Sequence, residues 1–189
     1  MKPIATTRSA TGIPTGRLAI WWVLASEVVI FGGLLASYLM HRLGHPEWAN
    51  AAANTNTWIG AFNTLVLLSS SFTAVLAHNA AEMGDGKKAA RYLVFTIVGA
   101  LIFLLVKSFE WYTEIRHGYT ITANGFWSFY YTAAGLHAAH VIAGAIIMGF
   151  IAKDAAKGKE LQRVELIGIY WHFVDVVWIF LFPLLYIAK

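Results

Sequence analysis

The chain has 189 residues, of which 58% are hydrophobic, 15% aromatic and only 13% charged, with a mean hydropathy of +0.60. Soluble domains carry about 25% charged residues, so this composition points to a membrane. It leaves room for roughly five to seven spanning helices and no large extramembrane catalytic domain. Cysteine is absent, which excludes disulfides, thiolate metal sites, iron–sulfur clusters and cysteine nucleophiles.

Residues 1–16 are polar, with Thr, Ser, Gly and Pro, and read as a loosely ordered tail. The first apolar run follows over about 17–42, where Leu18 to Met40 hold a single charge, Glu27. It is too long for a cleavable signal peptide and lacks a small-residue cleavage site at its end. Four more runs cover about 58–82, 91–116, 126–152 and 165–188. Each exceeds the ~18-residue threshold for a spanning segment. Backbone groups in hydrocarbon must be paired internally, so runs of this length without strand alternation predict helices. The expected fold is all-α: a five-helix integral membrane domain over 17–189 behind the tail.

The basic residues sort by side. Lys2, Arg8 and Arg17 at the tail, Lys87, Lys88 and Arg91 at the second break, and Lys153, Lys157, Lys159 and Arg163 at the fourth make ten of 14. Arg42, Arg116 and Lys189 lie on the other side, and Lys107 lies within a run. The bias predicts a cytoplasmic N-terminus and a periplasmic C-terminus. It also explains the pI near 9.4 without nucleic acid, since no Lys/Arg stripe with interleaved aromatics is present. Trp21, Trp22, Trp58, Trp111 and Trp127 sit near run ends, where interfacial anchoring and buried packing compete as explanations.

Ionisable groups inside hydrocarbon cost ~2.5–3.5 kcal/mol each at helix centre, so each needs a reason. Glu27 lies about 15 Å into its run at 1.5 Å per residue; it is either a hydrogen-bonded structural carboxyl or a proton-relay group. Lys107, Glu110 and Glu114 share one stripe at i, i+3 and i+7, favouring an internal ion pair over a catalytic base. His137, His140 and Gly144 repeat that spacing. Glu165, Gly168, His172 and Asp175 form a stripe about 80° wide. Glu27, His140 and Asp175 lie at a common depth, and glycines would let their helices approach. Asn56, Asn63 and Ser70 mark one face of the second run as interhelical hydrogen-bonding groups.

Other chemistries fit less well. The histidine positions do not give the stacked pairs of a bis-histidine haem bundle. A metal site begun by His137 and His140 would need His172 or Asp175 as a third ligand. No HExxH, GxSxG, GxxxxGK[ST] or GxGxxG occurs. A transporter would show paired, Gly/Pro-broken helices in two halves, whereas Pro183 is the one proline within a run. The residues supply no self-sufficient active site: no catalytic group and no metal set.

Against this background the string IYWHFVDVVWI at Ile169–Ile179, with Glu165 ahead of it, resembles the signature of subunit III of haem-copper terminal oxidases. Gly135-Leu-His137-Ala-Ala-His140-Val141 is similar to a second family segment, with Ala134 and Ala138 where threonine and glycine are typical. Asn63-Thr64 with Leu67-Leu68-Ser69-Ser70, Ser108-Phe109-Glu110-Trp111-Tyr112, and Leu24-Ala25-Ser26-Glu27-Val28 match three more, in order. Longer members have seven helices; this chain resembles the short bacterial form lacking the N-terminal pair.

The resemblance implies a non-redox subunit of a proton-pumping respiratory oxidase in the bacterial cytoplasmic membrane. That complex reduces O₂ to water with electrons from cytochrome c or quinol. Haems and copper would belong to partner subunits I and II, with direct contact to subunit I and further contacts to subunit II and small subunits. Phospholipids would occupy a cleft beside Glu27, and the subunit would support stability and proton uptake. Asn63, Lys107, Glu110, His137, His140, Glu165, His172 and Asp175 would form the polar interior. The first helix, with or without the second, would stand apart from the other three. A related accessory protein of nitric oxide reductase systems and a small proton-coupled transporter are the alternatives.

Overall fold

The structure, a computed structural model, describes residues 15–188. The expected tail therefore lies outside the described residues, as does Lys189, except that Thr15 and Gly16 begin the first helix. The elements are α1 (Thr15–Gly44), a short α2 (Trp48–Ala52), α3 (Thr57–Glu82), α4 (Gly86–Arg116), α5 (Gly125–Ala155) and α6 (Gln162–Phe182), with a π-helical turn over Pro183–Ile187. Among the described residues there is no strand. Five helices are long and apolar enough to cross a membrane: α1, α3, α4, α5, and α6 with its terminal turn. The chain is a multi-pass membrane protein.

Capping chemistry sets the helix starts. The Asn56 side chain accepts from the backbone amides of Trp58 and Ile59, Asp85 from that of Lys88, and Asn124 from that of Trp127, each satisfying otherwise orphaned donors. Asp85 explains why α4 begins at Gly86 and not near residue 91: the polar Lys87 and Lys88 belong to its first turn. Gly84 and Gly118 end α3 and α4 with φ of 77° and 85°, a conformation that costs a glycine little. The break over 43–57 holds α2, whose buried Trp48 covers Gly125; a Cβ there would meet the indole at 2.5 Å.

The last helix ends on a proline. Pro183 has no N–H, so the α ladder gives way to the π turn, which carries Leu185 and Tyr186 inward. Carbonyls of this turn take side-chain donors from far away in sequence. Tyr38 donates to Leu184 O at 3.0 Å, Thr57 to Tyr186 O at 3.1 Å, and Thr55 lies 3.5 Å from Leu185 O.

Helices α3 to α6 close into a four-helix bundle in which each packs on its sequence neighbour and α6 returns to α3. The second membrane helix, α3, is thus integral to the bundle and does not stand apart. Small residues explain its position. Ala74, Ala77 and Ala80 are buried along it, and Gly99 of α4 sits so near Ser70 that a Cβ would meet that side chain at 2.7 Å. Helix α1 alone lies outside, against α6 and α5. It buries only Leu24, Phe31 and Tyr38, one thin seam at seven-residue spacing. Trp127 is buried with Tyr130 and Tyr119 around it, whereas Trp21, Trp22 and Trp58 are 60%, 71% and 86% exposed. Packing therefore explains Trp127, and the other three face outward.

Candidate functional site

The bundle interior centres on Lys107. The residue is 1% exposed, and its ammonium uses all three hydrogens: on Glu110 Oε2 at 3.0 Å, on the Tyr130 hydroxyl at 2.8 Å, and on the Tyr186 hydroxyl. The phenols pass the bonding on. Tyr130 donates to Glu114 Oε1 at 2.9 Å and Tyr186 to Glu110 Oε2 at 3.1 Å. Tyr131 donates to Tyr119 O at 2.7 Å beside Glu114. The Tyr130 ring also lies 4.4 Å from the ammonium, within cation–π range. A buried ammonium without such partners would be intolerable in hydrocarbon. The stripe expected from i, i+3, i+7 spacing is therefore real, and it is an internal ion pair with a phenolic shell.

A second cluster joins α1 to the bundle. Glu27 Oε2 stands 3.0 Å from His140 Nε2, an ion-pair distance without hydrogen-bond alignment. His140 Nδ1 lies 2.8 Å from Leu136 O. A carbonyl can only accept, so Nδ1 carries a hydrogen. Phe31 meets the imidazole edge-on at 5.2 Å, and the Tyr170 hydroxyl donates to His140 O at 3.3 Å. Toward the basic end, Arg17 and Glu165 pair at 2.6 Å. Between these two contacts a cleft of about 360 Å³ opens, lined by Ile20, Val23, Ile147, Ile151 and Tyr170, with Arg163 at its rim.

The remaining expected residues scatter. Asp175 does not join the Glu27–His140 cluster: it lies beside Ser71 of α3, and neither carboxyl oxygen has a well-aligned hydrogen bond to protein. His172 Nδ1 and the Ser71 hydroxyl are hydrogen-bonded at 2.6 Å. His137 is fully buried between Phe103 and Trp178 at ring distances of 5.5 and 5.0 Å, with neither nitrogen hydrogen-bonded to protein. Asn63 is likewise enclosed without a partner for its amide. The interior is therefore only partly satisfied by its own side chains. On the Asn56–Asn63–Ser70 face only Ser70 bridges helices, accepting from Trp171 Nε1 at 3.0 Å; Asn56 is the cap of α3. Among the described residues no three His, Asp or Glu side chains converge as a metal site.

Sequence reasoning missed the phenols. Tyr130 lies seven residues before His137, on the same helix face, a signal that was available. Tyr186 follows Pro183, where the change of helical register hid it.

A family model for Cytochrome c oxidase subunit III matches residues 6–189. The chain is 35% identical to cytochrome c oxidase subunit 3 of Corynebacterium diphtheriae over 173 residues, covering 88% of this chain and 84% of that one. It is also 35% identical to the subunit 3 of Thermostichus vulcanus over 169 residues, covering 87% and 83%. A heme-copper oxidase subunit I+III of Aeropyrum pernix matches at 29% over 183 residues, 91% of this chain and 22% of that one. With its five spanning helices and these matches along nearly its whole length, the chain belongs to the cytochrome c oxidase subunit III family, the third subunit of haem-copper oxidases.

Proposed function

We propose that this protein is a non-redox subunit of a proton-pumping oxidase in the bacterial cytoplasmic membrane, seated directly against subunit I. The observation that carries the reading is the Aeropyrum relative, whose name joins subunits I and III in one chain. A covalent fusion is tolerated when two subunits already function side by side. Haems and copper belong to subunits I and II, where O₂ is reduced with electrons from cytochrome c or quinol. Subunit II and small subunits complete the surroundings. The positive-inside bias supports a cytoplasmic N-terminus and a periplasmic C-terminus.

The saturated Lys107 shell supports a scaffolding role for the interior. All three of its hydrogens are engaged, so it has none left for a substrate. Glu27 and His140 instead face each other at 3.0 Å, next to Tyr170, which lines an apolar cleft. A phospholipid acyl chain fits that cleft, and the pair serves as a local proton store that supports uptake by subunit I.

The test is purification of the native complex through this chain. Co-purification with haem-bearing subunits, a Soret band in the assembly and none in the isolated chain are expected. Iron or copper bound stoichiometrically by the isolated chain would overturn the non-redox assignment. Recovery with nitric oxide reductase subunits would reassign the complex, and solute transport by the isolated chain in liposomes would overturn the reading altogether.

A further inference from the structure

On the side of α5 opposite the α1 cleft, the seam between α4 and α5 opens as a trough of about 480 Å³. Lys87 and Arg91 of α4 and Lys153 of α5 stand at its basic end; Val94, Ile97 and Gly149 form its deeper part. Spacing explains the arrangement. Lys87, Arg91 and Val94 follow i, i+4, i+7 on one helix, and Gly149 and Lys153 follow i, i+4 on its antiparallel neighbour. The three cations are exposed and have no carboxylate partner among the described residues. The nearby acids are occupied: Asp85 caps α4, and Asp154 faces Arg163 at 3.8 Å. No acid lines the trough.

From Lys87 to Ile97 the helix rises about 15 Å, which is half of a ~30 Å hydrocarbon core. The trough is thus one leaflet deep, with unpaired positive charge at the headgroup level and an apolar floor below. We infer that it is a binding site for one anionic glycerophospholipid, its phosphate among Lys87, Arg91 and Lys153 and an acyl chain over Gly149. Topogenic charge bias accounts for basic residues on this face, but not for three unpaired ones around a single apolar trough. Lys157 and Lys159 share the face without lining the trough, and they supply the control. The site is separate from the cleft at Glu27 and stands or falls independently of the oxidase assignment.

The test is native mass spectrometry of the full chain in detergent, titrated with phosphatidylglycerol or with phosphatidylcholine of matched chains. One phosphatidylglycerol is expected to bind in preference. Neutralising the trough cations one at a time (Lys87→Gln, Arg91→Gln, Lys153→Gln) is expected to lower its affinity roughly fivefold each. Gly149→Trp fills the floor, where a Cβ meets no atom within 4 Å, so the helix stays intact while the acyl chain is excluded; Gly149→Ala should bind as the parent does. Lys157→Gln with Lys159→Gln should change little.

Equal affinity for both lipids, equal loss in the control pair, or indifference to Gly149→Trp would overturn the site. Displacement of the lipid by millimolar inorganic phosphate would reduce it to an ion site and overturn it too. In the intact complex, a photo-crosslinker on Gly149→Cys, the subunit's sole cysteine, should capture lipid; capture of a partner subunit would show a protein interface instead.

Discussion

Helix α1 and the α3–α6 bundle solve the same problem differently. The bundle is held along seams: small residues bring backbones together, and Trp171, Trp178 and Tyr130 fill the interior. Helix α1 buries three side chains and is held at points: Arg17 on Glu165 at 2.6 Å, Glu27 on His140 at 3.0 Å, and Tyr38 on Leu184 O at 3.0 Å. Lipid tails are as apolar as leucine, so burying apolar surface gives α1 little reason to dock. Its placement depends on those three polar contacts, spaced along its length.

The contrast can be broken first in the bundle. Lys107→Met leaves Glu110 and Glu114 buried without their ammonium and should destabilise the fold by about 3–5 kcal/mol. Adding Glu110→Gln should recover part of that loss; thermal unfolding in detergent reads both. Gly86→Ala comes next, because the new methyl would stand 2.1 Å from Ala155 O, and overpacking of this kind costs about 1–3 kcal/mol. In α1 the expected effect is smaller and local. Glu27→Gln should cost about 1–2 kcal/mol or less and loosen α1 from α5, seen as a broadened spin-label distance, while the bundle melts as before. Loss of the bundle itself would mean that Glu27 is part of the core.

The smallest effect belongs to Glu47, outside the membrane. Its own backbone amide, and then His45 at 2.8 Å, hold its carboxyl below the usual range. That contact is present at neutral pH and disappears only as pH falls through the lowered range. Glu47→Gln should leave the melting temperature at neutral pH unchanged; a measurable drop would make the α1–α2 turn a fourth anchor.

The sequence revealed those parts that depend on one helix at a time. Spacing of three and seven residues placed Lys107, Glu110 and Glu114 on one buried stripe without any knowledge of neighbours. It failed where two helices had to be oriented together. Depth along the chain put Asp175 level with Glu27 and His140, but depth says nothing of azimuth, and α6 turns that carboxyl toward Ser71. The grouping of α3 with α1 failed for a related reason: the close fit of Gly99 on Ser70 is a property of a pair. Tyr186 escaped because Pro183 resets the helical register beyond the point where periodicity can be extrapolated. Trp127 lies at a helix end by sequence, yet the fold encloses it.

The side-chain donors on the terminal turn have a consequence for biogenesis. Tyr38, Thr55 and Thr57 are synthesised more than a hundred residues before the carbonyls they engage. Until residues 184–186 are in place, α1 lacks its fastening at Tyr38 and is held only at Arg17 and Glu27. The final turn therefore acts as a clasp: a chain truncated just short of it would keep the Arg17 and Glu27 contacts of α1 but leave its far end unfastened.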